Sequence, residues 1–173
     1  MQLQRPVSGH EHIQGSIKAM LELVEYGDYQ CSSCGESYLI IKAAQEKLGK
    51  ELSFEFRNFP LMEQHPDAFN AAMAAESAGL QNKFWEMYEL LFINQDNLSN
   101  EDLFIYAGDL GLNIRQFEQN MQSRALRAII EADYESGLKS GVTGTPTFYI
   151  NGKKYDGDWE DDGLINHLKE LLG

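Results

Sequence analysis

Two cysteines three positions apart, Cys31-Ser32-Ser33-Cys34, stand between a run that reads as a buried strand and a run that reads as a helix. No other feature of the sequence restricts the fold as far. Leu21-Glu22-Leu23-Val24-Glu25-Tyr26 is apolar enough for a buried strand and ends at the turn signal Gly27-Asp28. Beyond the cysteines, Tyr38, Leu39, Ile41, Ala44, Gln45 and Leu48 recur at helical spacing, and Gly49 is placed to close that helix. Leu52-Ser53-Phe54-Glu55-Phe56-Arg57 then alternates apolar and polar, as a strand does. A strand, a helix and a second strand joined at this length predict a parallel crossover.

From His65 to about Ser140 the pattern is helical throughout. Pro66-Asp67 opens an alanine-rich helix ending near Gly79, and Phe84, Tyr88 and Leu91 give the stripe of a second. Ser99-Asn100-Glu101-Asp102 resembles a capping box before a third, Gly111 stops it, and two more helices are expected over about 114–122 and 124–139. The aromatic and methionine residues Phe84, Trp85, Met87, Tyr88 and Phe92 read as core, not as a cofactor box. The strand signal returns at Thr147-Phe148-Tyr149-Ile150, Asn151-Gly152 is a hairpin turn, and Lys153-Lys154-Tyr155 is the return strand. Leu164, Ile165, Leu168 and Leu171 mark a final amphipathic helix. The expected layout is an α/β frame in two parts, residues 1–62 and 140–173, with an all-helical subdomain at 63–139.

A C-x-x-C pair has three readings: half a zinc site, a redox pair, or two ordinary thiols at a helix start. Zinc needs two further ligands, and no second C-x-x-C or H-x₃₋₅-H follows; His10 and His12 read as part of a solvated polar leader, and no metal is expected. The acidic run Asp156-Gly157-Asp158-Trp159-Glu160-Asp161-Asp162 lacks the glycine and the terminal glutamate of a calcium loop and reads as a turn before a helix. The redox reading has a physical basis. At the helix N-terminus the Cys31 sulfur faces free backbone N–H groups and the positive end of the helix dipole, which favour thiolate over thiol. Cys34, one turn further in, is the more buried partner, suited to attack a mixed disulfide held on Cys31.

Two segments carry a family resemblance. Val24-Glu25-Tyr26-Gly27-Asp28-Tyr29-Gln30-Cys31-Ser32-Ser33-Cys34-Gly35 resembles the active-site strand and loop of DsbA-like thioredoxin-fold proteins. Gly141-Val142-Thr143-Gly144-Thr145-Pro146-Thr147-Phe148-Tyr149-Ile150-Asn151-Gly152 is similar to that family's cis-proline loop and hairpin, and the helical insertion between them matches as well. The resemblance implies a thioredoxin fold, a central mixed β-sheet flanked by helices, and a thiol:disulfide oxidoreductase without organic cofactor or metal. It places Pro146 as a cis-proline beside the cysteines, Thr145 where its backbone pairs with a bound peptide, and Glu25 as a buried acid taking the proton of the resolving thiol. The spacer departs from the Pro-His of strongly oxidising members. Ser32 and Ser33 supply no imidazole or proline ring, only hydroxyls that can donate to the Cys31 sulfur, so a less oxidising protein is expected.

The implied partners are protein or peptide thiols and disulfides, with a separate redox partner that recycles the cysteines. A net charge of −13, from 27 acidic and 14 basic residues, opposes binding to nucleic acid or to an anionic membrane surface. No stretch approaches the roughly 18 apolar residues of a membrane span, so no membrane insertion is expected. The first twenty residues hold no apolar segment of a secretory signal; the chain as written reads as cytoplasmic, and as periplasmic or extracytoplasmic if a leader has been removed. The rival reading is a peptide-binding, chaperone-like module whose cysteines are incidental.

Overall fold

The computed structural model describes residues 1–173. Five strands, β1 (Ile13–Gln14), β2 (Leu21–Gly27), β3 (Leu52–Asn58), β4 (Thr147–Ile150) and β5 (Lys153–Tyr155), form one mixed sheet in the order β1-β3-β2-β4-β5. β2 and β3 run parallel in register from Leu21↔Leu52 to Gly27↔Asn58, joined by helix α1 (Ser32–Leu48), as the crossover pattern predicts. Gly49, at φ 52°, takes the turn that ends α1 with its N–H on the Gln45 carbonyl. β4 pairs antiparallel with β2, Glu25 opposite Phe148, and Asn151-Gly152 closes the β4–β5 hairpin.

Between β3 and β4 come α2 (Ala68–Gly79), α3 (Phe84–Ile93), α4 (Asn100–Asp109), α5 (Ile114–Met121) and α6 (Arg124–Ser140); α7 (Gly163–Leu172) ends the chain. Each helix falls within two or three residues of its expected span. Ser99 and Asp102 make the reciprocal capping box at the start of α4, a contribution of about 1 kcal/mol. Period-2 alternation assigns the faces of the sheet. Leu21, Leu23, Phe54, Phe56, Phe148 and Ile150 pack in one continuous core with α1, α7 and the inserted helices. Val24, Tyr26 and Tyr149 pack on the opposite face with Phe59, Val142 and Tyr134 of α6. Beside the cysteine loop, Tyr29 stacks obliquely on Phe56 and Phe92 at 5.0 Å and meets Tyr88 edge-on at 6.0 Å. Pairs of this kind add about 0.5–1.5 kcal/mol each beyond their buried area.

All seven residues of β3 are buried, the polar ones as well as the apolar. Its polar side, Glu55 and Arg57, is an ion pair at 2.6 Å, and Arg57 also donates to the Arg5 carbonyl and the Tyr26 hydroxyl. Desolvating two charges is tolerated there because every polar atom of the pair finds a partner. The structure corrects the expectation of a solvated polar leader. Gln2 bridges to Lys153, Arg5 pairs with Asp133, and β1 adds to the edge of β3. His12 is no solvated tail: its ring stacks on Phe84 at 3.4 Å, and its Nε2 lies 2.8 Å from the buried Glu76 carboxylate. The leader thus covers the polar face of β3 and closes that sheet edge.

Candidate active site

Cys31 is the N-cap of α1, with extended backbone, and its carbonyl accepts from the N–H groups of Cys34 and Gly35. Both cysteines are free thiols. Cys31 is only 8% exposed, less open than an attacking group at a helix start leads one to expect, and Cys34 is fully buried. Their surroundings separate them. The Cys34 thiol, the Thr145 hydroxyl and the Cys34 backbone N–H all favour the Cys31 thiolate; together they outweigh burial and the nearby Asp28 and hold it at about 5. Burial, the hydrogen bond made to Cys31 and the negative charge of Glu25 push the Cys34 thiol well above its ordinary range.

The loop before β4 faces this pair. The Thr145–Pro146 peptide bond is cis, and the Cys31 thiol lies 3.5 Å from the Thr145 carbonyl oxygen. The buried Thr145 hydroxyl has no hydrogen-bond partner within the protein and is left free to favour the same sulfur as thiolate. Ser32 is exposed and Ser33 half-buried, and neither hydroxyl bonds to the Cys31 sulfur. The stabilisation anticipated from the two serines comes instead from Thr145 and Cys34.

Glu25 lies on the face of β2 turned to α1 and is fully buried, not an outward strand residue. Ser37 donates to its Oε1 at 2.8 Å, while Oε2 has no partner. Burial without a cation raises its carboxyl to about 8.

Three side chains that the sequence did not single out hold the cysteine loop. Buried Asp28 accepts from Gln30 N–H at 2.7 Å and Leu61 N–H at 2.8 Å, and its Oδ2 lies 2.9 Å from His65 Nδ1. Gln30 and Asp67 bond reciprocally, backbone to side chain and side chain to side chain. Gln95, just beyond α3, donates its amide to the carbonyls of Tyr29 at 2.9 Å and Cys31 at 2.8 Å. A Cβ at position 35 would overlap the Gln95 side-chain oxygen, so only glycine allows that approach. The one local signal for these contacts was polarity in loops, which names no partner. No three His, Cys, Asp or Glu side chains come together to hold a metal ion.

A family model described as Thioredoxin matches residues 7–170. The Na(+)/H(+) antiporter NhaA 1 of Mycobacterium sp. (strain KMS) is 39% identical over 170 residues, 96% of this chain; the chain spans only 28% of that protein's length. BdbD from Bacillus subtilis, solved in its oxidised form, superposes with a TM-score of 0.79 at 25% identity, covering 93% of this chain and 92% of that one. Pseudomonas aeruginosa DsbA2 superposes at 0.76 with 19% identity, covering 98% and 97%. No helix here is long and apolar enough to cross a membrane. With its mixed sheet, helical insertion, C-x-x-C helix start and facing cis-proline loop, the chain belongs to the thioredoxin family.

Proposed function

We propose that the chain exchanges disulfides with protein or peptide thiols through Cys31 and Cys34. The observation that carries this is the contrast between two adjacent sulfurs: Cys31 at the N-cap of α1 against the cis-proline loop, a setting that favours its thiolate, and Cys34 fully buried one turn inward, a setting that favours its thiol. In the reducing direction the Cys31 thiolate attacks a substrate disulfide, forming a mixed disulfide and releasing one substrate thiolate. Cys34 then gives its proton to Glu25 and attacks the Cys31 sulfur, and the substrate leaves with the electron pair of the broken bond. The internal disulfide and a substrate dithiol result, and the oxidising direction reverses every step. Thr145 and Pro146 form the wall along which an extended peptide lies, and Ser32 and Ser33 form its rim. Residues 1–62 and 140–173 make the redox frame, and residues 63–139 an inserted subdomain that braces it through Gln95. A separate redox partner restores the starting state.

A thiolate at about 5 lies between attacking cysteines near 3.5 in the strongest oxidants and near 7 in thioredoxin. The reading is therefore an intermediate couple, with a reduction potential between about −270 and about −120 mV. Glutathione redox-buffer titration tests it, and a potential outside that window refutes it. Cys31→Ser should abolish insulin reduction and oxidative refolding, while Cys34→Ser should accumulate mixed disulfides; a peptide-binding module with incidental cysteines would keep its activity in both.

A further inference from the structure

Glu25 is a carboxyl with no exposure and a single protein hydrogen bond, the one from Ser37 at 2.8 Å. Its other oxygen is unpartnered, and no Lys, Arg or His bonds to it. The ionisable groups facing it are Cys31 and Cys34 of α1, Tyr29 of the loop and Tyr88 of α3, and a negative charge on any of these adds to the cost of its own. Ser37 is equally buried, and its Oγ also lies 3.0 Å from the Cys34 carbonyl oxygen. A hydroxyl carries one proton, so Ser37 can serve one of these two acceptors fully at a time. Alanine at this interior helix position would be the better helix former, and serine bonding back to a carbonyl does not strengthen the helix. Ser37 therefore has no purely helical justification.

We propose that Ser37 is the positioning residue of the Glu25 proton step: it donates to the charged carboxylate and turns to the Cys34 carbonyl once Glu25 holds the Cys34 proton. This rests on the reading of Glu25 as the acceptor of that proton. The step balances simply. The Cys34 thiol loses its proton to the Glu25 carboxylate, the S–S bond to Cys31 forms, and the bond from Cys31 to the substrate sulfur breaks with its electron pair on that sulfur. Without the hydroxyl, ionised Glu25 would have no hydrogen bond at all. A bond to a buried charged group favours that charge about tenfold to a hundredfold, so its loss leaves Glu25 protonated and unable to accept over the working pH range. The elevated titration of Glu25 puts the operating balance where such a change is felt.

The test is rapid mixing of the reduced protein with a chromogenic aromatic disulfide, which releases one thiol when Cys31 attacks and a second when Cys34 attacks. Ser37→Ala is expected to leave the first phase unchanged, to slow the second about tenfold or more at pH 7, and to move its alkaline rise to higher pH. The infrared band of the protonated carboxyl should persist to higher pH in the same variant. In the Glu25→Gln background Ser37→Ala should add nothing. A second phase slowed by Glu25→Gln but untouched by Ser37→Ala overturns the role of Ser37 and leaves that of Glu25 standing. A second phase untouched by Glu25→Gln overturns the proton role of Glu25, and the Ser37 proposal with it. An effect of Ser37→Ala that survives in the Glu25→Gln background assigns Ser37 to helix geometry alone, and also overturns the proposal.

Discussion

Replacing Glu25 by glutamine should stabilise the reduced protein, and by an amount that grows with pH. In the fold Glu25 is fully buried, holds one hydrogen bond, and titrates at about 8 instead of 4.5. The unfolded chain ionises the same group freely near its ordinary value, so each step of pH above 4.5 favours the unfolded state until the native group also ionises. A folded value raised in this way contributes stability that is complete below 4.5 and is lost as pH rises through 8. The native state therefore forfeits about 1 kcal/mol at pH 5, about 3 at pH 7 and about 4 at pH 8. Glutamine resembles the neutral acid and carries no such penalty. The Cys31 thiolate has the opposite linkage, contributing stability above the ordinary thiol range and losing it as pH falls toward 5, but it is common to both proteins and cancels in the difference. Urea unfolding of parent and variant under reductant, at pH 5, 6, 7 and 8, measures the gap directly. At pH 7 it corresponds to roughly 6–12 °C in melting temperature for a domain of this size. A stability difference that stays flat from pH 5 to pH 8 would refute the reading that burial raises the Glu25 titration in the fold.

Thr145→Val keeps the volume beside Cys31 and removes the hydroxyl that favours its thiolate; the Cys31 titration, followed by thiolate absorbance, should move above 5, and an unchanged midpoint would discount Thr145. Gln95→Ala deletes two hydrogen bonds to the cysteine loop, with an expected loss of about 1–3 kcal/mol in urea unfolding and faster amide exchange over residues 28–36; unaltered exchange there would mean the loop is held without it. His12→Ala removes the ring stacked on Phe84 and the bond to Glu76, at a cost of about 1–2 kcal/mol, and should open the leader to limited proteolysis, whereas His10→Ala, at an exposed residue, should do neither.

Most of the architecture was legible in local pattern. The apolar run 21–26, the helical stripe 38–48 and the alternation 52–57 predicted a parallel crossover, and Cys31-Ser32-Ser33-Cys34 fell at its turn. The order of the two cysteines, N-cap and one turn inward, follows from helix geometry and needed no coordinates. Periodicity states which side of an element a residue faces, and says nothing of what covers that side. That is why His12 read as part of a solvated leader until its ring was found stacked on Phe84 and its Nε2 beside the Glu76 carboxylate. The contacts that shape the site join residues far apart in the chain: Gln95 with the loop at 29–31, His65 with Asp28, and Thr145 with Cys31. Hydrogen bonds of that kind leave no trace in spacing, because either partner alone is an ordinary loop residue. The sequence by itself determined the strand, helix and hairpin order and located the reactive pair. Only the tertiary structure decided which groups set the charge on each sulfur, because burial and the facing of a hydroxyl or carboxyl exist only once the chain has closed.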